Sequence, residues 1–273
     1  MVKVADLAIT SLDVIKVYEL SGTPWFVMDE LQDATIANTQ EKEDITGKGG
    51  RKLGSLKKNK GVTVSGTSGL ISAGLLEAQT GGTFSHEAAA PVAWTDYLVI
   101  TSNAANTEFK AVGTAGAEIE GLYLRNSDGT AGEKLEQAEA AAEGKFAYDP
   151  ETKKLTFMAD AYEDGTEIVV FYTRNIEADV LTNDSNTYSK TVRMYIDGTA
   201  EDKCGNVFHV QFYIPKADLN GEFDIQMGDN QSTHEFEAES LSGAGCGGIG
   251  TNGVLWTYTV FGVNAADAAG AAA

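Results

Sequence analysis

The chain has 273 residues, 42% of them hydrophobic and 9% aromatic, which is enough for a sizeable core in one large β domain or two smaller ones. Its 40 acidic residues against 20 basic ones leave a formal charge of −20. That charge excludes DNA and anionic membrane as tight partners, because adhesion to phosphate rests on Lys and Arg; it also fits a plain solubility device or a halophilic origin.

The 30 glycines and 4 prolines suit many tight turns between strands. Cys204 and Cys246 are too few for a disulfide framework, so reduced thiols are expected, with a single bridge as the alternative. The first 18 residues are apolar but broken by Lys3, Asp6, Asp13 and Lys16, unlike a signal peptide. No run of 18 apolar residues occurs, so no membrane insertion is expected.

Val2–Val17 alternates loosely and reads as an edge strand or an extended arm. After the Ser21–Pro24 turn, Trp25–Thr39 is a long strand or a short helix, and its periodicity does not separate the two. Asp29–Asp44 carries a net charge of −5, and Ile45–Val62 reverses sign to +6, so everything outside this basic island sums to −26. Five glycines mark this basic island as a mobile, exposed loop. A phosphate-binding loop would need G-x-x-x-x-G-K-[ST] between a strand and a helix, and the segment lacks it. Two readings are left for Lys48, Arg51, Lys52, Lys57, Lys58 and Lys60. Either they form a solvated loop, or they dock on an acidic surface of another copy, as a head-to-tail contact needs.

Gly61–Ile71 is strand-like. Ser72–Thr80 predicts a short helix with Ser72 as N-cap, Leu75 and Leu76 as apolar anchors and Gly81-Gly82 as the stop. In the middle stretch, Tyr97–Ser102 and Ile119–Asn126 read as strands. Glu133–Ala142 (EKLEQAEAAA) reads as a second helix on propensity. Lys145–Tyr148 and Lys154–Ala159 read as a hairpin, and Glu167–Thr173 as a strand buried on both sides.

Thr191–Asp197, Val207–Ile214, Glu222–Met227 and Thr233–Glu239 alternate with period two, which predicts a sheet with one dry and one wet face. The wet face carries Glu222, Asp224, Glu235, Glu237 and Glu239; Asp29 and Asp33 are rivals for the same role. Gly243–Gly253 reads as a flexible loop and Val254–Gly262 as a last strand. Ala265–Ala273 is a tail, either disordered or docked in an assembly. The divisions that result are 1–85, with the basic loop 45–62; 86–178, either an inserted subdomain or an extension of the same sheet; 179–264; and the tail 265–273.

No catalytic constellation emerges. His86, His209 and His234 are scattered, and H-E-x-x-H, C-x-x-C and G-x-S-x-G are all missing. Carboxylate pairs carry no specificity in a chain this acidic. The Asp128-Gly129, Asp164-Gly165 and Asp197-Gly198 steps read as hairpin turns, since none continues as a calcium loop. No enzyme activity, metal or cofactor is expected.

Trp25–Thr39, the basic loop, GVTVSGTSGLISAGLLEAQTGG at 61–82 and FHVQFYIPKADLNGEFDIQM at 208–227, with His234–Glu239, together resemble the tail tube (major tail) proteins of tailed bacteriophages. The resemblance implies two packed antiparallel β sheets with a flanking helix, and a sheet continued between subunits in a ring, typically a hexamer. It further implies rings stacked into a hollow tube, a long loop bridging rings, and an acidic lumen through which double-stranded DNA passes without specific binding. Tape measure and tail terminator proteins are the implied partners, with assembly in the host cytoplasm and a final place in the virion tail. Two alternatives fit the same composition: another virion part, such as a capsid decoration or head or tail subunit, and a β-sandwich module binding carbohydrate or another ligand. The latter calls for clustered exposed aromatics, whereas Trp25, Trp94 and Trp256 are far apart in sequence.

Overall fold

The computed structural model describes residues 6–225, 232–242 and 253–262. Residues 243–252 of the expected flexible loop, with Cys246, the C-terminal tail, and Gln226 and Met227 of the expected strand lie outside these residues.

In chain order the elements are β1 Leu7–Tyr18, β2 Pro24–Met28, β3 Leu31–Thr46, β4 Lys52–Ser68, α1 Ala73–Thr80, β5 Ser85–Val99, β6 Ala104–Asn106 and β7 Ile119–Arg125. They continue as β8 Ala131–Gln137, β9 Lys145–Asp149, β10 Lys154–Phe157, β11 Glu167–Val180, β12 Thr191–Asp202, β13 Val207–Leu219, β14 His234–Ser240 and β15 Thr257–Gly262. The protein is mainly β, with α1 as its single α-helix among the described residues. Contacts divide it into a discontinuous unit, 1–84 with 181–273, and an inserted unit, 85–180.

The discontinuous unit holds one sheet in the order β2-β1-β12-β13-β14-β4-β3, with β15 added to β13. β1 pairs with β12 along its length but with β2 only over Ile15–Tyr18, so among the described residues Leu7–Val14 is an open edge, as the loose alternation suggests, and only the second half of the strand is internal. Trp25–Thr39 is two strands, β2 and the start of β3. β12 is the clearest half-buried strand. Val192, Met194, Ile196 and Ala200 face the core while the residues between them face out. Asp197-Gly198 therefore sits inside a strand and is no turn.

β13 runs on through Pro215, where its register against β12 shifts between Ile214 and Ala217. A proline has no N–H for the ladder, and an irregularity is where a strand tolerates one. Of the expected strand at Glu222–Met227, residues 222–225 show only an isolated bridge, Ile225 to His234. Alternation alone does not create a strand without a neighbouring ladder.

The helix forms where capping chemistry places it. Ser72 Oγ accepts from the Leu75 N–H at 3.3 Å, and Gly81 ends the helix at φ 77°. A Cβ on Gly81 would lie 2.1 Å from the Tyr188 carbonyl oxygen, so no side chain fits there. Leu75 and Ala78 enter the core with Ile15, Val64, Met194, Ile214 and Phe236. The helix is also pinned by a buried polar chain. His234, with no exposed surface, accepts the Ser72 N–H at Nδ1 (3.3 Å) and sits 2.8 Å from Gln79 Oε1 through Nε2. Gln79 in turn donates to the Glu235 carbonyl at 3.0 Å. These partners fix the neutral imidazole with its proton on Nε2, and burial pushes its pKa below the ordinary 6.5.

The inserted unit has the sheet order β5-β11-β7-β8-β9-β10-β6. All its pairings are antiparallel except the short parallel contact of β8 with β9. Its core is Ile100, Leu122, Leu135, Phe146, Leu155, Ile168, Val170 and Tyr172. The expected helix at Glu133–Ala142 is instead strand β8 followed by a turn. Leu135 is buried opposite Leu122 of β7, and this one core contact with its ladder overrides the helix propensity of the surrounding Glu, Lys and Ala. Inside, the Tyr172 hydroxyl donates to Asp96 (2.8 Å) and accepts the Phe109 N–H (3.1 Å). Asp96 also accepts from Trp94 Nε1 and the Glu108 N–H, so the network ties the 107–109 segment to β5 and β11. Burial raises the Tyr172 phenol well above its usual range, which keeps it a donor.

Candidate assembly surfaces

Two surfaces of the discontinuous unit stand out, and both are built on the β3–β4 hairpin. The first is acidic. In the half of the hairpin near its open end, β4 alternates between buried and half-buried residues, and the ladders align three rows on the outer face. Asp33, Thr67 and Glu235 form one row; Thr35, Ser65 and Glu237 the next; Ala37, Thr63, Glu239 and Asp218 the third. Asp33 and Glu235 are two strands apart, about 10 Å at the usual strand spacing. That is too far to share a cation. Among the described residues no group of three His, Cys, Asp or Glu is placed to hold a metal. The spacing is comparable to the Debye length, about 8 Å at physiological salt, so the charges add into one negative field.

The segment 220–224 lies beside β14, its Asn220 N–H donating to the Glu237 carbonyl at 2.8 Å. Glu222 and Asp224 thereby join Asp33, Glu235 and Glu237 around an open trough of about 790 Å³. The structure thus unites acids that the sequence presents as rivals. Asp29 is exposed in the β2–β3 turn and does not line the trough. Asp218 lies beyond Ile214, where the sequence pattern predicts the strand to end, on the part of β13 that runs to Leu219. The signal available was the alternation continuing through Ala217 and Leu219, hidden behind Pro215.

The second surface is the far half of the same hairpin. The basic island is no mobile loop: β3 and β4 stay paired out to Thr46 and Lys52, and one 3-10 turn, Lys48–Gly50, closes the tip. A register shift between Thr39 and Glu41, with Asn59 at φ 50°, marks where this arm leaves the sheet. Beyond it none of residues 41–60 is buried. The arm reaches about 25 Å past the sheet, at 3.3 Å per strand residue.

Its charges are partly settled within itself. Lys52 pairs with Asp44 at 2.6 Å and Lys58 with Glu43 at 2.7 Å, so these two are not spare cations. Among the described residues, Lys48, Arg51, Lys57 and Lys60 have no carboxylate within 4.0 Å. Residues 41–60 hold seven cations and three acids, a net of +4. The arm also displays apolar residues that charge counting overlooks: Ile45 is 52% exposed, Leu53 60% and Leu56 54%.

The model of the YomU/Tube family matches residues 8–251, across both units. The chain belongs to the YomU/Tube protein family. Comparison with curated proteins gives no match. Membership makes this a structural protein of the phage tail tube, sited in the virion tail and self-assembling, in a family that is generally not enzymatic. Of the tube protein's histidines, His234 is structural, His209 packs against Phe261 with ring centroids 5.5 Å apart, and His86 is exposed beside Asp179. Cys204 is exposed in the β12–β13 turn. Leu75 is buried in the core, while Leu76 of the same helix is half-buried. No helix among the described residues is long and apolar enough to cross a membrane.

Proposed function

We propose that this tube protein assembles into stacked, hexameric rings, and that the acidic face of β3, β4 and β14 lines the channel through which double-stranded DNA passes. The observation that carries this reading is the three-row acidic face. Its carboxylates come from separate parts of the chain, and Ser and Thr, not Lys or Arg, lie between them. A wall of this kind repels phosphate, so DNA slides instead of binding. β2 and β3 end the sheet path, and pairing such edges between neighbours is the economical way to close a ring. The arm, with its spare cations, bridges successive rings and offsets part of their mutual repulsion. Tape measure and tail terminator proteins complete the assembly as partners within and at the end of the tube, and the rings assemble in the host cytoplasm.

The test is electron microscopy of the purified protein at moderate salt, followed by the Glu235→Lys, Glu237→Lys double variant. Hollow tubes from the wild type, and DNA held inside variant tubes, are the expected results. Monomers at every concentration would sink the tube reading. Variant tubes that bind DNA only on their outer surface would sink the lumen assignment.

A further inference from the structure

A groove of about 360 Å³ opens at one end of the core of the discontinuous unit. Ile9, Leu12, Ile36, Val210, Phe212 and Trp256 line it. These side chains lie on the inner faces of β1, β3 and β13 and beside β15. The opening exists because β1 and β3 approach each other without being joined by hydrogen bonds. Such apolar concavity, with Ile9 56% exposed at its rim, calls for a cover. The same chain carries an apolar object in the same condition, the arm tip with Ile45, Leu53 and Leu56.

We infer that the arm tip of one copy seats in this apolar groove of another copy. The inference rests on the tube reading and names the receptor surface for the arm. Three observations carry it. First, the contact is barred within one chain. Groove and tip are parts of one strand, Ile36 and Ile45 being nine residues apart, so β3 carries the tip roughly 30 Å away from its own groove. Second, the chemistry matches. Ile45 and Leu56 are diagonal neighbours on one face of the arm, since Ile45 pairs with Gly54 and Glu43 with Leu56. Two branched aliphatic side chains side by side fit an apolar slot of this size. Third, the charges around them are opposite. Asp197, paired with Lys16, lines the groove, and Asp13 and Glu201 stand close by on the outward side of β1 and β12, while the turn next to Ile45 brings Lys48 and Arg51 without acid partners of their own. A tip that meets a groove on the next copy is a heterologous contact. It repeats without closing, which is what a growing tube requires.

The experiment uses full-length protein with Cys204 and Cys246 replaced by Ser. Two single-cysteine proteins of different size, Leu56→Cys and Ile9→Cys, are mixed, assembled and oxidised. A disulfide-linked species containing one chain of each is expected. Separately, Leu56→Asp places a carboxylate where the groove is dry and should lower the protein pelleting as tubes by roughly tenfold or more. Its circular dichroism and melting should match the wild type, since residue 56 touches no core. Normal tubes from Leu56→Asp together with no mixed disulfide would overturn the groove as receptor and leave the tube reading standing. Wild-type protein that forms no tubes, together with single-cysteine proteins that form no mixed disulfide, would overturn both.

Discussion

The two halves of the β3–β4 hairpin are made of the same two strands and obey opposite rules. From Gly61 to Ser68, every second residue of β4 is buried, and the face turned outward is acidic by way of its neighbours β3 and β14. From Glu41 to Lys60 nothing is buried, and the surface is basic with apolar points. The first half is held by the core of its own subunit. The second has its ladder, a hydrogen bond from Asn59 to Glu41 and two exposed ion pairs, each pair worth about 0–1 kcal/mol, and an isolated two-stranded ribbon is marginal in water. A segment that a chain extends without burying it is built for something outside that chain.

The comparison breaks most directly in the buried half. Phe236 is 3% exposed beneath the acidic face, and Phe236→Ala should cost about 3–5 kcal/mol, read by denaturant unfolding of the monomer. Acidification attacks the same half through His234. Its folded pKa lies below the ordinary 6.5, so its contribution is fully present above that value and is lost as pH falls toward the lowered one. Stability should therefore drop as pH falls below about 6.5, and a His234→Gln variant should lose that component of the slope in parallel melting curves.

In the arm the effects on the fold should nearly vanish. Glu43→Gln removes the exposed pair with Lys58 and should shift monomer stability by no more than about 1 kcal/mol. Reversing Lys57, Lys58 and Lys60 to Glu removes the same pair and sets like charges beside Glu41 and Glu43, yet should still leave the monomer folded while blocking tube growth; tubes of normal length from this variant would count against a docking arm. A large loss of monomer stability from either arm change would mean that the two halves are not separate in the way described.

Much of the fold was open to a reader of the sequence where the determinants are local. Ser72 and Gly81 mark the helix because a side-chain cap and a left-handed terminus are set by neighbouring residues. His234, Phe236, Ala238 and Ser240 alternate with Glu235, Glu237 and Glu239, so which residues avoid the core follows from period two alone. Lys145–Asp149 and Lys154–Phe157 form the hairpin that their turn announces. Residues 133–142 fail the same kind of reading. Their helix propensity is real, but Leu135 has a partner in β7 thirteen positions back, and ladder and core together outweigh a few tenths of a kcal/mol per residue.

The surfaces show the same division. By itself the sequence determined that Glu235, Glu237 and Glu239 point away from the interior, and that one stretch of an acidic chain is basic, because strand period and charge are properties of adjacent residues. Only the tertiary structure decided that Asp33 and Asp218 stand with those glutamates on one face, and that Glu222 and Asp224 reach it from a segment beside β14 that is not a ladder strand. It alone showed Lys52 and Lys58 engaged within their own arm, and Ile45 and Leu56 side by side at its tip. Those facts depend on register between strands far apart in the chain, and register is set by the packing of the whole sheet.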